Sequence, residues 1–181
     1  MARSNRLRRV AARRSIDSAG SPDSPPASPG IARALFTGRA DFAGAARYFE
    51  RALEANPHAG WYWLQIAHCR TLARDLPGAR AAAARAAELQ EKLLSGRESG
   101  QIVGAYMRIG HVAALEGRPE EAAQRFQQES AFLAGVDHAL RSRIAIELHL
   151  RLGAARQALG LDEEARAAFA KKPNLRVLTV A

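Results

Sequence analysis

The residues of this chain best equipped for chemistry are His68, His111 and Cys69. The two imidazoles stand 43 positions apart, a spacing that recurs elsewhere in the chain, so they occupy equivalent places in repeated units and become spatial neighbours if those units stack. Facing one surface, they would grip an acidic segment or respond to pH; the plainer reading is two independent polar side chains. Two histidines without a third carboxylate or thiolate ligand make an incomplete metal site, so no metal is expected. Cys69 is the single cysteine, which excludes an internal disulfide framework, and its flank Ile66-Ala67-His68 suggests a buried, inert thiol. Side by side on a helix, His68 and Cys69 point apart and form no nucleophile–base pair. Ser95, Ser99, Ser130 and Ser142 lack a nucleophile-elbow motif, and no glycine loop of the phosphate-cradling kind is present. Glu120-Glu121 and Glu163-Glu164 suit the first turns of helices, where they complement the dipole. No catalytic residue and no cofactor is expected, and the chain reads as a non-enzyme.

The elements that must position these side chains are helices. The chain of 181 residues contains 40 Ala and 24 Arg but only 3 Lys, with 6% aromatic residues, a composition suited to helices packed closely through small side chains. Six of the nine net positive charges belong to Arg3, Arg6, Arg8, Arg9, Arg13 and Arg14, all ahead of the first acid, Asp17. A basic arm, not a basic fold, therefore carries most of the charge, and it offers the sites for nucleic acid or an anionic surface. From Ser15 to Gly30 the sequence is rich in Ser and Pro without apolar periodicity, so residues 1–28 are expected to form a disordered arm. Ser28-Pro29 has the chemistry of a helix start. No apolar run approaches the roughly 18 residues of a membrane span, and no signal-peptide core opens the chain, so the expectation is a cytoplasmic protein. The Arg and Ala bias fits codon pressure in a GC-rich bacterial genome; an Arg- and Ser-rich, acid-poor start also fits an organelle transit peptide.

The chain repeats itself. Ile66, His68, Leu72 and Ala79 recur 43 residues later as Ile109, His111, Leu115 and Ala122. A second shift of 43 matches Ile109, Gly110, Gly117, Glu120, Glu121, Ala122 and Phe126 with Leu152, Gly153, Gly160, Glu163, Glu164, Ala165 and Phe169. Upstream, Ala45, Phe49, Ala52 and Glu54 align with Ala79, Ala83, Ala86 and Glu88 at a spacing of 34. Four units result, anchored at Ala45, Ala79, Ala122 and Ala165. Each reads as two helices around a short turn, with Gly closing one helix and Pro opening the next at Gly117-Arg118-Pro119. The additional nine residues of the longer period are expected to lengthen the paired helices.

Trp63, Ile66 and Ala67, and again Tyr106, Ile109 and Gly110, look like the first-helix signature of the tetratricopeptide repeat; Ala45 with Phe49, Ala122 with Phe126 and Ala165 with Phe169 look like the second. Residues 29–172 thus resemble tetratricopeptide repeats, the longer units being similar to kinesin light chain-like repeats. The departures are Arg70 and Arg156 in place of an aromatic, His149 for the first aromatic and Ala83 for a Phe. The resemblance implies an all-α, right-handed superhelix of about four helical hairpins, whose first helices line a concave groove that binds peptides or partner proteins.

Trp61, Leu64, His68 and Leu72 form one stripe on the first helix of unit two. Shifted by 43 the stripe becomes Gly104, Met107, His111 and Leu115, then Glu147, Leu150, Ala154 and Ala158. The resemblance turns this stripe toward the groove and packs Trp63, Ile66, Tyr106, Ile109 and Leu152 between helices. The partner surface is therefore expected at Trp61, Leu64, His68, Leu72, Met107, His111, Leu115 and Leu150, suited to an apolar peptide face; alternatively the stripe seals against the long second helices. Three functions fit: a protein-interaction scaffold using the groove, an accessory repeat region of a larger bacterial enzyme such as a glycosyltransferase, or a nucleic-acid or membrane adaptor led by the arm. Residues 173–181 form an apolar tail after Pro173, expected either to begin a following α/β domain or to fold back on unit four as its cap.

Overall fold

The computed structural model describes residue 38 and residues 40–94, 102–136 and 138–171. The arm 1–28, the helix start at Ser28-Pro29 and the tail 173–181 lie outside the described residues. Among the described residues seven helices follow one another: α1 (Phe42–Ala55), α2 (Gly60–Leu72), α3 (Leu76–Leu94), α4 (Ala105–Leu115), α5 (Pro119–Ala134), α6 (Arg141–Ala158) and α7 (Asp162–Ala170). There is no strand among the described residues. Each helix packs on the next, and α2 also touches α4 while α4 touches α6. The pairs α2–α3, α4–α5 and α6–α7 are therefore stacked hairpins whose first helices adjoin along one side, and α1 packs on α2 ahead of them.

The turns carry the repeat in their backbone. Ala40, Arg74, Gly117 and Gly160 all have positive φ, at 53°, 64°, 73° and 73°. These positions are separated by 34, 43 and 43 residues, the same intervals that relate the four anchor alanines. A left-handed residue just past a helix lets the next two amides turn back onto its last carbonyls. At Arg74 the Asp75 amide donates to Arg70 O at 2.9 Å and the Arg74 amide to Thr71 O at 3.2 Å. Arg118 to Ala113 O (2.9 Å) and Leu161 to Arg156 O (3.0 Å) repeat the longer bond in units three and four. Asp41 and Asp75 then cap α1 and α3 through the amides of Gly44 (2.8 Å) and Gly78 (3.0 Å).

Within a hairpin the two helices meet at the anchor alanines. Ala45, Ala79, Ala122 and Ala165 are all buried. At Gly110 an added Cβ would lie 2.7 Å from Phe126 Cε1 and 3.1 Å from the Ala122 carbonyl oxygen, so α4 and α5 cross at a separation that only a missing side chain permits. Gly153 meets the ring of Phe169 in the same way. Arg70 and Arg156, which replace the usual aromatic, each hold the start of the following helix: Arg70 donates to Gly78 O at 3.2 Å and Arg156 to Glu164 O at 3.3 Å.

Two expectations are corrected. The stripe read from the sequence places Gly104 inside the first helix of unit three, but Gly104 has a φ of 103° and α4 begins at Ala105. The reason lies in the neighbouring helices. The buried Glu129 carboxylate of α5 accepts from the amides of Gly104 (2.7 Å) and Tyr106 (2.9 Å), while Gln90 of α3 accepts from Ala105 (3.0 Å) and donates to Glu129. These side chains satisfy the orphan amides that a local cap would otherwise serve. The additional residues of the longer units are also not all spent on paired helices. Part goes to α3, 19 residues against 14 in α1, and part to the span between Leu94 and Ala105.

Candidate functional site

Side chains of α2, α4 and α6 converge on a cavity of about 560 Å³ on the side where the first helices adjoin. Trp61, Leu64 and His68 come from α2, Met107 and Arg108 from α4, and Ile144 and Glu147 from α6. Leu140 and Arg143, at the start of α6, complete the edge. Four of the residues read from the sequence as groove-lining thus share one cavity, namely Trp61, Leu64, His68 and Met107. Leu64 and Met107 form its floor, buried at 9% and 3% exposure, whereas Trp61 stands on the rim at 48%. The Trp61 ring is fixed there by edge-on contacts with Phe49 at 5.7 Å and Tyr62 at 5.4 Å. Leu72, Leu115 and Leu150 do not line the cavity; they are exposed apolar side chains on the same three helices.

The electrostatics centre on α4. Arg108 Nη1 lies 3.2 Å from His68 Nδ1. A guanidinium only donates, so the imidazole accepts at Nδ1 and is neutral, with its proton on Nε2. Burial is the main force lowering His68 to about 4, and the Arg108 charge adds to it. His111 is likewise lowered to about 4, by burial first and then by Arg151 and Arg108, and its buried Nδ1 has no hydrogen-bond partner among the described residues. The two histidines do share a field, since His111 contributes to the lowering of His68. Burial raises the Glu147 carboxyl, but the hydrogen bond and charge of Arg151 more than offset this and hold it below its ordinary value. Arg151 reaches Glu147 Oε1 through Nη2 at 2.7 Å and Nε at 2.9 Å.

Arg108, Arg143 and Leu140 are among the lining residues that the sequence pattern did not single out. Arg108 stands three residues before His111, on the same helical face, and therefore over the histidine of the preceding unit. Elsewhere the chemistry is quiet. Burial pushes the Cys69 thiol up to about 11, far from a reactive thiolate. Among the described residues no group of three His, Cys, Asp or Glu is arranged to hold a metal ion, and no helix is long and apolar enough to cross a membrane.

This architecture has counterparts among solved structures. A crystal structure of BtubC (BKLC) from P. vanneervenii is similar with a TM-score of 0.63 at 18% identity, over 92% of this chain and 71% of that one. Two crystal structures of MamA are similar at 15% identity. In one the TM-score is 0.60 over 86% of this chain and 81% of that chain; in the other it is 0.57 over 77% and 66%. The fold is a tetratricopeptide-type helical superhelix. At these identities the likeness carries the fold alone. No family model and no curated protein sequence matches the chain.

Proposed function

We propose that this chain is a non-catalytic tetratricopeptide protein, with residues 29–172 as its repeat domain, that binds a segment of a partner protein in the groove formed by α2, α4 and α6. The observation that supports this most is the apolar surface left on three successive first helices. Trp61 on the rim of the cavity, and Leu72, Leu115 and Leu150 outside it on the same three helices, are 40–55% exposed, whereas the equivalent face of a purely structural stack would be closed. The binding surface in this reading comprises Trp61, Leu64, His68, Leu72, Met107, His111, Leu115 and Leu150. Trp61 is its anchor, because a rigid aromatic on a rim contributes much area at little entropic cost.

The test is capture of partners from a lysate of the source cells by the full chain and by its Trp61→Ala and Leu150→Ala variants. The groove reading expects the same partner to be lost from both variants while their helical content and melting are kept. Retention of the partner by both variants, with loss on deletion of residues 1–16, would move the binding to the basic arm instead.

A further inference from the structure

We propose that residues 174–178 of this chain lie in a second groove, between α5 and α6, with Leu175 and Val177 on its floor, so that an extended strap fills the place where α7 stops short. This groove shares no lining residue with the cavity between α2, α4 and α6, and the inference stands apart from the partner-binding reading.

α5 and α7 start 43 residues apart, at Pro119 and Asp162, but α5 runs on to Ala134 while α7 ends at Ala170, the counterpart of Gln127. In unit three the additional length, about two turns, is put to use. Glu129 and Leu133 are buried there, and Glu129 bonds to Gln90 of α3 and to the first amides of α4. In unit four α7 supplies no such turns, and a cavity of about 400 Å³ opens in that place. Ser130, Ala131 and Ala134 of α5, His149 and Leu152 of α6, and Lys171 line it. His149 and Leu152 are half-buried, whereas their counterparts Tyr106 and Ile109 are 5% and 7% exposed.

The path of the chain supplies the occupant. α7 returns along α6 as the second helix of a hairpin, so a backbone continued past Lys171 passes Leu152 and then His149 on one wall, and Ser130 and then Ala134 on the other. Burial and then the Lys171 charge lower the basicity of His149, which places the exit of α7 over α6. Pro173 cannot extend the helix, because its ring clashes with the carbonyl four residues back and it has no amide to donate. The next residues, Asn174-Leu175-Arg176-Val177-Leu178, favour an extended form, and the stretch of α5 from Gln127 to Ala134 is roughly 10 Å long, which about three extended residues cover. In that form Leu175 and Val177 share one face and Arg176 takes the other, so two apolar side chains meet Leu152 and Ala131 while the guanidinium stays in water. The Ser130 hydroxyl is at hand for a backbone group that no helix satisfies. Tethering selects this occupant over a free partner, since a segment joined at Lys171 is present at an effective concentration in the millimolar range.

The test is disulfide trapping in the full chain, with Cys69 left in place because it is fully buried. Val177→Cys is paired either with Ala131→Cys in the groove or with Arg166→Cys on the outward side of α7, both exposed positions within reach of the tether. Under mild oxidation of dilute protein the groove pair should close at least ~10-fold faster than the α7 pair, and Leu175→Asp should slow it to the rate of the α7 pair. Equal rates, a faster α7 pair or no disulfide in the groove pair overturns the inference, the second of these placing the tail over the open end of unit four. A groove pair whose rate Leu175→Asp leaves unchanged overturns it as well. Should Ala131→Cys unfold the chain, Ala134→Cys takes its place and is read in the same way.

Discussion

Units two and three build the same helix crossing with opposite distributions of volume. In unit three the first helix gives up its side chain at Gly110 and the second supplies the ring of Phe126, which fills the space so closely that no Cβ fits. In unit two the equivalent residues are Ala67 and Ala83, both fully buried. A methyl on one helix replaces the glycine and a methyl on the other replaces the ring. What the architecture requires at this position is a close backbone approach and a filled interface, and two different residue pairs meet it.

The comparison is broken most forcefully at Phe126. Phe126→Ala should cost about 3–5 kcal/mol in chemical denaturation, because the ring is buried against a rigid backbone. Gly110→Ala alone should cost about 1–3 kcal/mol by overpacking against that ring. The double variant converts unit three to the pair found in unit two, so its cost should fall short of the sum by at least about 1 kcal/mol. Additive costs would mean that the two units are not equivalent at this crossing.

A second contrast lies at the entries of α2 and α4. The N-terminus of α2 has no side-chain cap at Ala59, whereas the first amides of α4 are served by Glu129 and Gln90 from two other helices. Glu129→Gln keeps the volume but replaces a doubly accepting carboxylate, leaving a buried donor without its partner. The expected loss is about 1–3 kcal/mol in denaturation, with no comparable effect from Ala59→Gly.

These contrasts show what the sequence could reveal. The repeat was legible because identical residue types return at fixed spacing, and the turns confirm the same intervals through φ at Ala40, Arg74, Gly117 and Gly160. Matching a signature residue by residue made Ala83, Arg70 and Arg156 look like departures, since compensation between helices and long side chains reaching to a neighbouring turn are invisible along one chain. The start of α4 was misplaced for a related reason: Glu129 caps it from 25 residues away. Of the site, the stripe positions were readable from helical period. The cavity was not, because Leu140 and Arg143 enter from the start of α6, which begins well before the position that a strict repeat of α4 would give.

The paired histidines offer a test in pH. Both are held near 4 in the folded chain against an ordinary value of 6.5, so between these values the unfolded chain binds more protons than the folded one. Their contribution to stability is therefore complete above about pH 6.5 and is lost as pH falls toward 4. Burial raises Glu129, which opposes this trend in the lower part of the window. The deciding measurement is the melting temperature of the His68→Gln, His111→Gln double variant from pH 7 to pH 4. Its decline with acid should be shallower than that of the parent chain; an identical slope would show that the histidines titrate as they do in water.

The smallest effect is expected at the turns, where unit two again differs from units three and four. Arg74 adopts the left-handed conformation that Gly117 and Gly160 adopt in the equivalent turns. The side chain of an L-residue crowds its own carbonyl there, at a cost of roughly 1–2 kcal/mol. Glycine removes that cost but makes the unfolded chain more flexible, which takes back about 0.4–1 kcal/mol. Arg74→Gly should therefore stabilise the protein by about 0.5 kcal/mol, and Gly117→Arg should destabilise it by a similar amount. The two variants measured side by side by denaturation give opposite signs if the turn backbones are interchangeable. If Arg74→Gly instead destabilises, the arginine side chain makes a contribution at this turn that outweighs its backbone strain, and the turns of units two and three would be alike in shape but not in energetics.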